Sequence, residues 1–155
     1  MKQEINPQKS NRAEAFRMWM SSPMPMVTLV KTLDISRLVK VSKKSGIKFN
    51  VLMCWCIGKA ANECKSSCFA SDQRSSAFLD EHMVIGTSAM IQTELDCIVN
   101  QYTDQFCNPM VMWGKYRKRL FKTTLPVSFQ FHHVQIDGGH AAKFFSNLQK
   151  EINRI

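Results

Sequence analysis

The residues best suited to carry chemistry lie in one short segment near the end of the chain. It contains two adjacent histidines, His132 and His133, followed by Asp137, Gly138 and Gly139. A histidine side chain can accept or donate a proton near neutral pH, which suits it to general acid or base catalysis. The two glycines predict a tight turn, and an aspartate in such a turn is commonly held by a partner. The segment therefore predicts a site of proton transfer between a strand and a helix.

The residues of this segment leave three interpretations open. Adjacent strand residues point to opposite faces of a sheet, so His132 and His133 are expected to differ in role, with one of them facing a cleft. A histidine in such a position is also commonly a packed or surface residue without a catalytic role. The third interpretation is that His133, Asp137 and His140 bind zinc. However, the two glycines interrupt any regular helical face, and no fourth ligand lies nearby in the sequence. We therefore expect no metal.

The rest of the chain must position this segment through alternating helices and strands. Capping residues and apolar periodicity predict helices over residues 11–20, 35–45, 50–64 and 138–152, with Asp34 and Asn50 as N-caps and Gly46 as a terminator. Strand-like spacing predicts strands over 26–33, 109–116 and 125–133, with further strands inside 69–93. A short helix is expected over 94–102. The interleaving predicts an α/β or α+β class, and since no repeat or composition break divides the sequence, we expect one domain over residues 1–155.

Composition limits where the protein works. The longest apolar run, residues 51–57, is too short to cross a bilayer, and the polar start of the chain lacks the pattern of a secretory signal. The 6 cysteines include no C-x-x-C pair and are expected to be reduced packing residues. These features predict a cytoplasmic protein without a membrane partner.

The charge of the chain indicates an anionic partner. Lys and Arg outnumber Asp and Glu by 21 to 12, which gives a formal net charge of +9. A phosphate-bearing cofactor and nucleic acid both match this sign, and a solvated cationic surface without a partner is equally compatible with it.

Several segments together carry a specific resemblance. Residues 132–138, HHVQIDG, resemble the H-H-x-x-x-D-G signature of chloramphenicol acetyltransferases. Residues 108–116 resemble that family's penultimate strand with its G-K-Y sequence, and residues 125–130 resemble its final strand with its L-P sequence. Nearer the start, residues 11–16 are similar to the family's opening R-x-x-x-F helix, and residues 33–49 to its first strand, helix and K-F turn.

This resemblance implies a fold and an activity. It implies an α+β two-layer sandwich, a mixed sheet covered by helices, and an enzyme that moves an acetyl group from acetyl-CoA to a hydroxyl of a chloramphenicol-like small molecule, as in antibiotic resistance. His133 would be the general base, an effect commonly worth about 100 to 10,000-fold in rate. The resemblance also implies a homotrimer.

Other residues receive roles by the same resemblance. Asp137 would pair with Arg12, and these two residues, together with His132 and Gly138, would organise the site. Lys115 and Tyr116 would lie against CoA, and the lysine would account for part of the basic charge.

The chain also departs from the family pattern. Family members carry several dozen further residues between the positions matched by Phe106 and Asn108, so we expect a truncated fold with an internal deletion. The missing region includes a serine that stabilises the oxyanion, a group whose loss can cost roughly 100 to 1,000-fold in rate. Met112 stands where the family has threonine.

Two other functions follow from these departures and from the charge. One is a catalytically impaired family remnant that binds CoA or oligomerises. The other is a basic nucleic-acid-binding module centred on residues 115–119, although no recognised binding motif accompanies these cations, so nucleic acid is not the partner we expect.

Overall fold

A computed structural model of the chain describes residues 13–64, 84–101 and 108–155. In chain order the elements are α1 (Ala13–Met20), β1 (Met26–Asp34), α2 (Ser36–Ser45), α3 (Phe49–Cys64), β2 (Gly86–Met90), β3 (Met110–Gly114), β4 (Arg117–Lys118), β5 (Thr123–His132) and α4 (Gly138–Arg154).

A mixed sheet forms the centre of the fold, and β5 is its organising strand. The strand order is β1-β5-β3-β2, with β4 paired to the start of β5. The pairs of β5 with β1, β3 and β4 are antiparallel, whereas β2 and β3 are parallel. Because β5 lies between β1 and β3 and pairs with both, the segment that follows β5 starts from the centre of the sheet.

The two faces of β5 have different chemistry. Leu125, Val127, Phe129 and Phe131 join the apolar core formed with helices α2, α3 and α4. The intervening side chains, which include Ser128 and Gln130, point away from the helices and are nevertheless buried. Helices thus cover one face of a mixed sheet, and the predicted α/β class with a mixed sheet and covering helices is confirmed.

The helix boundaries follow the predictions with two differences. Gly46 ends α2 with a φ of 74°, as the sequence predicts. Asp34 lies one residue before the N-cap position, yet its Oδ1 accepts hydrogen bonds from Ser36 N at 3.0 Å and Ser36 Oγ at 2.6 Å. Asn50 is not the cap of α3, because that helix already begins at Phe49.

The predicted helix over residues 94–102 is wrong for the part that the structure describes. Residues 94–101 contain no helix; they are held by side chains that project from β5. Ser128 Oγ accepts from Ile98 N at 2.9 Å, and Gln130 pairs with the backbone of Asn100 through bonds of 2.8 and 2.9 Å. The polar face of β5 therefore replaces the hydrogen bonds that a helix would have supplied.

No helix in the described parts of the chain is long and apolar enough to cross a membrane. The strands predicted within residues 69–93 are represented by β2, while residues 65–83 lie outside the described chain.

Candidate functional site

The histidine segment forms a turn that is built on His132. This residue ends β5, and its carbonyl oxygen accepts from Gln135 N at 2.9 Å and Ile136 N at 3.1 Å. Its ring Nδ1 accepts from Val134 N at 3.2 Å, so this nitrogen carries no proton in the folded turn. The residue is 6% exposed. His132 therefore organises the backbone that follows it.

His133 lies just after the strand, and its position is fixed in two ways. Its N–H donates to Pro25 O at 3.0 Å, which ties the turn to the residue before β1. Its ring stacks on the Trp19 ring, with centroids 4.2 Å apart and planes 7° from parallel. Helix α1 and the start of β1 thus hold the imidazole in one orientation.

The two ring nitrogens of His133 have different surroundings. Nδ1 is enclosed and has no hydrogen-bond partner among the described residues. The residue as a whole is half-buried. With Nδ1 enclosed, Nε2 is the ring nitrogen left for contact with an incoming molecule.

Asp137 is the N-cap of α4. Its Oδ1 accepts from His140 N at 2.9 Å and lies 2.8 Å from His140 Nδ1. The second contact is short but lacks hydrogen-bond geometry, so we treat it as electrostatic, and it becomes an ion pair only when the imidazole is protonated. Gly138 opens the helix in an exposed position. The predicted partner of Asp137, Arg12, lies outside the described residues.

The zinc interpretation gains no geometric support. His140 contacts Asp137, whereas the ring of His133 is engaged with Trp19. In the described ranges no group of three or more His, Cys, Asp or Glu side chains is placed to hold a metal.

Lys115 and Tyr116 lie at the opposite end of the sheet from His133. The Tyr116 ring packs against the Phe49 ring with centroids 5.5 Å apart, which places it beside the N-terminus of α3. Lys115 is exposed, and its backbone N–H donates to Thr93 O at 2.7 Å. Lys48 comes directly before the same helix and so lies beside its positive end.

Gly114 is required at this end by a close approach of the backbone. A Cβ at this position would lie 2.9 Å from both Leu95 N and Thr93 O. Only glycine therefore lets the backbone of residues 93–95 come this close to the end of β3. The glycine of the G-K-Y sequence thus has a packing reason that is independent of any ligand.

The two groups of predicted site residues are not brought together. Arg117 pairs with Thr124 at the start of β5, and His132 is at the end of the same strand. The intervening strand spans roughly 26 Å at about 3.3 Å per residue. A single ligand must be long and extended to reach both ends.

Met112 is buried on the polar face of the sheet. It is 1% exposed and pairs across the ladder with Ser128. That hydroxyl is occupied by Ile98 N, so it does not replace the threonine of the family pattern.

The cysteines divide into two groups. Cys56 and Cys64 are buried, as predicted for packing residues, and burial raises the pKa of Cys56 to about 11 and raises the pKa of Cys64. Cys54 and Cys97 are exposed instead. The two remaining cysteines lie outside the described residues. High thiol pKa values make the buried pair poor nucleophiles.

Trp19 is a contact residue of this site that the sequence analysis missed. It lies on α1, more than a hundred positions before His133, and nothing in its local sequence marks it. A half-buried tryptophan on an amphipathic helix is ordinarily a packing residue.

Comparisons with known proteins agree with this fold. The sequence profile of the chloramphenicol acetyltransferase family matches residues 74–149. Chloramphenicol acetyltransferase 3 of Escherichia coli is 38% identical over 55 residues, a match that spans 36% of this chain and only 25% of that enzyme. A solved chloramphenicol acetyltransferase superposes with a TM-score of 0.78 at 18% identity, covering 98% of each chain. The truncated catalytic core of the 2-oxoacid dehydrogenase multienzyme complex from Thermoplasma acidophilum superposes with a TM-score of 0.60 at 12% identity, over 97% of this chain and 98% of that one.

This is an α/β protein of acetyltransferase-like architecture. Helices cover one face of its mixed sheet, and a histidine turn lies at the end of β5. The expected resemblance to the chloramphenicol acetyltransferase family is confirmed over residues 74–149.

Proposed function

We propose that the chain is a cytoplasmic acyltransferase that moves an acetyl group from acetyl-CoA to a hydroxyl of a small, chloramphenicol-like molecule. His133 is the general base. The observation that carries this proposal is the imidazole of His133, which stacks on Trp19 with its Nδ1 enclosed and leaves Nε2 for the substrate. The match to the family's sequence profile over residues 74–149 supports the reaction class.

The proposed step follows from the two ring nitrogens. For Nε2 to accept a proton, the single hydrogen of the neutral imidazole must be on Nδ1. Nε2 takes the hydroxyl proton as the substrate oxygen attacks the thioester carbonyl. The tetrahedral intermediate then collapses, the C–S bond breaks, and the imidazolium returns the proton to the sulfur of CoA. No acyl-enzyme forms.

The stack on Trp19 supplies the orientation that this step needs. A general base must lie within hydrogen-bond reach of the proton it removes, so a freely rotating ring loses much of its effect. Face-to-face contact with an indole, together with the bond from His133 N to Pro25 O, removes that freedom without the help of a carboxylate.

The separation between the two ends of the sheet suits CoA as the donor. Its thiol and its phosphates are at opposite ends of a long molecule. With the thioester near His133, the phosphates can lie near Lys115 and the positive end of α3, where Tyr116 offers a ring against Phe49. Asp137, Gly138, His132 and Arg12 are proposed to hold the turn rather than to transfer protons.

We also propose a homotrimer. Apolar side chains are exposed at the end of β2 and in the segment beyond it, namely Met90, Ile91 and Val99. Such residues commonly mark an interface. Light scattering would reveal the oligomer, and a monomer at assay concentration would contradict this part of the proposal.

The test follows the release of CoA thiol from acetyl-CoA with chloramphenicol and a panel of other hydroxyl acceptors. We expect turnover that His133→Ala lowers by about 100-fold or more. Gln135→Ala is the matched control, because Gln135 contributes its backbone N–H to the same turn and alanine keeps that group.

Equal rates for the native chain and a folded His133→Ala variant would contradict the proposal. Binding of CoA by calorimetry without turnover would favour the catalytically impaired remnant instead. In that case CoA affinity should still fall when Lys115 is replaced.

A further inference from the structure

The hairpin that joins β4 to β5 ends in two unusually exposed apolar residues. Leu120 and Phe121 are each 89% exposed, more than any other large apolar residue described. We call residues 118–122 the hairpin tip. The family reaction as proposed above gives these two side chains no role.

The hairpin tip stands on a fixed base. Arg119 N donates to Lys122 O at 2.7 Å and closes the turn. Below it, Thr123 N donates to Ser36 Oγ at 2.8 Å, and Thr123 O accepts from Ile35 N at 2.9 Å. The backbone therefore holds Leu120 and Phe121 outward.

Cations surround the apolar pair. Lys118, Arg119 and Lys122 are exposed on either side of it. Arg117, in contrast, is occupied by Glu94 at 3.4 Å and Asp96 at 2.7 Å. Lys122 is 3.9 Å from Asp34, whereas Lys118 and Arg119 take part in none of the ion pairs described. The tip consequently combines exposed apolar side chains with unneutralised positive charge.

We propose that the hairpin tip binds the surface of an anionic phospholipid bilayer, with Leu120 and Phe121 inserted at the acyl boundary and Lys118 and Arg119 at the headgroups. Two side chains on a convex turn offer on the order of 300 Å², well below the roughly 800 Å² per partner of a stable protein interface. A bilayer requires no complementary pocket, and apolar insertion beside cations is sufficient for peripheral binding.

This proposal does not depend on the acyltransferase proposal. It departs from the expectation of no membrane partner, which rested partly on the short apolar runs of the sequence. Peripheral contact needs no membrane-spanning segment.

The test is co-sedimentation of the full chain with two kinds of vesicle, phosphatidylcholine alone and an equimolar mixture with phosphatidylglycerol. We expect binding to the anionic vesicles that added salt weakens. Leu120→Ser combined with Phe121→Ser should lower partitioning about tenfold or more. Lys118→Gln combined with Arg119→Gln should lower it roughly 30-fold, since each cation near the surface contributes roughly fivefold.

A matched control changes an exposed apolar pair elsewhere. Val51 and Trp55 lie on α3 and are 58% and 60% exposed, so Val51→Ser with Trp55→Ser should leave vesicle binding unchanged. Circular dichroism melting would verify that every variant is folded.

Three outcomes would overturn the proposal: no binding to anionic vesicles, equal binding to neutral ones, or equal loss in the α3 control. A concentration-dependent dimer that the tip substitutions abolish, without vesicle binding, would assign the tip to a second copy of the chain.

Discussion

Polar side chains fix both ends of β5, but they do so with groups of different chemistry. At the C-terminal end of β5, His132 accepts a hydrogen bond through a neutral ring nitrogen and shapes the turn that carries His133. At the N-terminal end of β5, Asp34 accepts a hydrogen bond from Ser36, whose hydroxyl in turn accepts one from Thr123 N. An imidazole therefore fixes the proposed catalytic turn, and a carboxylate fixes the base of the hairpin.

This difference shows what each end requires. The His133 turn is enclosed by α1 and the start of β1, so a displaced backbone changes where the imidazole points. The hairpin tip needs only to project outward, and its contacts are confined to its base. Geometry should therefore matter more at the histidine end than at the hairpin end.

The largest effect is expected from His132→Phe. Phenylalanine keeps the ring but removes the Nδ1 acceptor, so Val134 N–H, in a buried residue, loses its partner. The free energy of unfolding in urea should fall by roughly 1–3 kcal/mol. Amide exchange at Val134 should accelerate beyond the change in overall stability.

His132→Asn is the matched control for that experiment. The asparagine side-chain oxygen can take the place of Nδ1 and should recover part of the lost stability. Equal destabilisation by Phe and Asn would mean that the acceptor is not what holds the turn.

An intermediate effect is expected from Trp19→Ala. The stack with His133 is the contact that orients the proposed base, and aromatic pairs contribute about 0.5–1.5 kcal/mol beyond their burial. If the proposed function holds, kcat should fall about tenfold with KM for acetyl-CoA little changed.

Trp19→Phe should restore part of kcat, because a smaller ring can still stack. A fall in melting temperature without any change in kcat would assign Trp19 a packing role alone, and the orientation of His133 would then depend on its backbone bond to Pro25.

The contrast between the two ends also explains what the sequence could predict. The strands, the class and the histidine turn depend on local alternation, glycines and caps, all of which are visible in a short window. The 94–101 segment is extended because Ser128 and Gln130, about 30 positions away, supply its hydrogen bonds. Trp19 is likewise joined to His133 only by the folded chain. Long-range polar contacts and stacks leave no local signal.

The smallest effect is expected from Asp34→Ala at the hairpin end. Hydrogen bonds from the Ser36 hydroxyl and backbone N–H lower the pKa of Asp34 from its ordinary value of 3.8. Removing this acceptor should cost about 1 kcal/mol, as for the loss of a helix cap. Because the folded pKa is below the unfolded one, this stability is present above about pH 4 and is lost as the pH falls through the folded pKa.

Urea unfolding of the native protein and of Asp34→Ala at several pH values should therefore give a difference in the free energy of unfolding that shrinks in acid. A difference that stays constant down to pH values below the folded pKa would mean that packing, and not the carboxylate, fixes the hairpin base. Since His132 is unchanged in Asp34→Ala, the amide exchange of Val134 N–H should follow only the overall stability, which separates the two ends of β5.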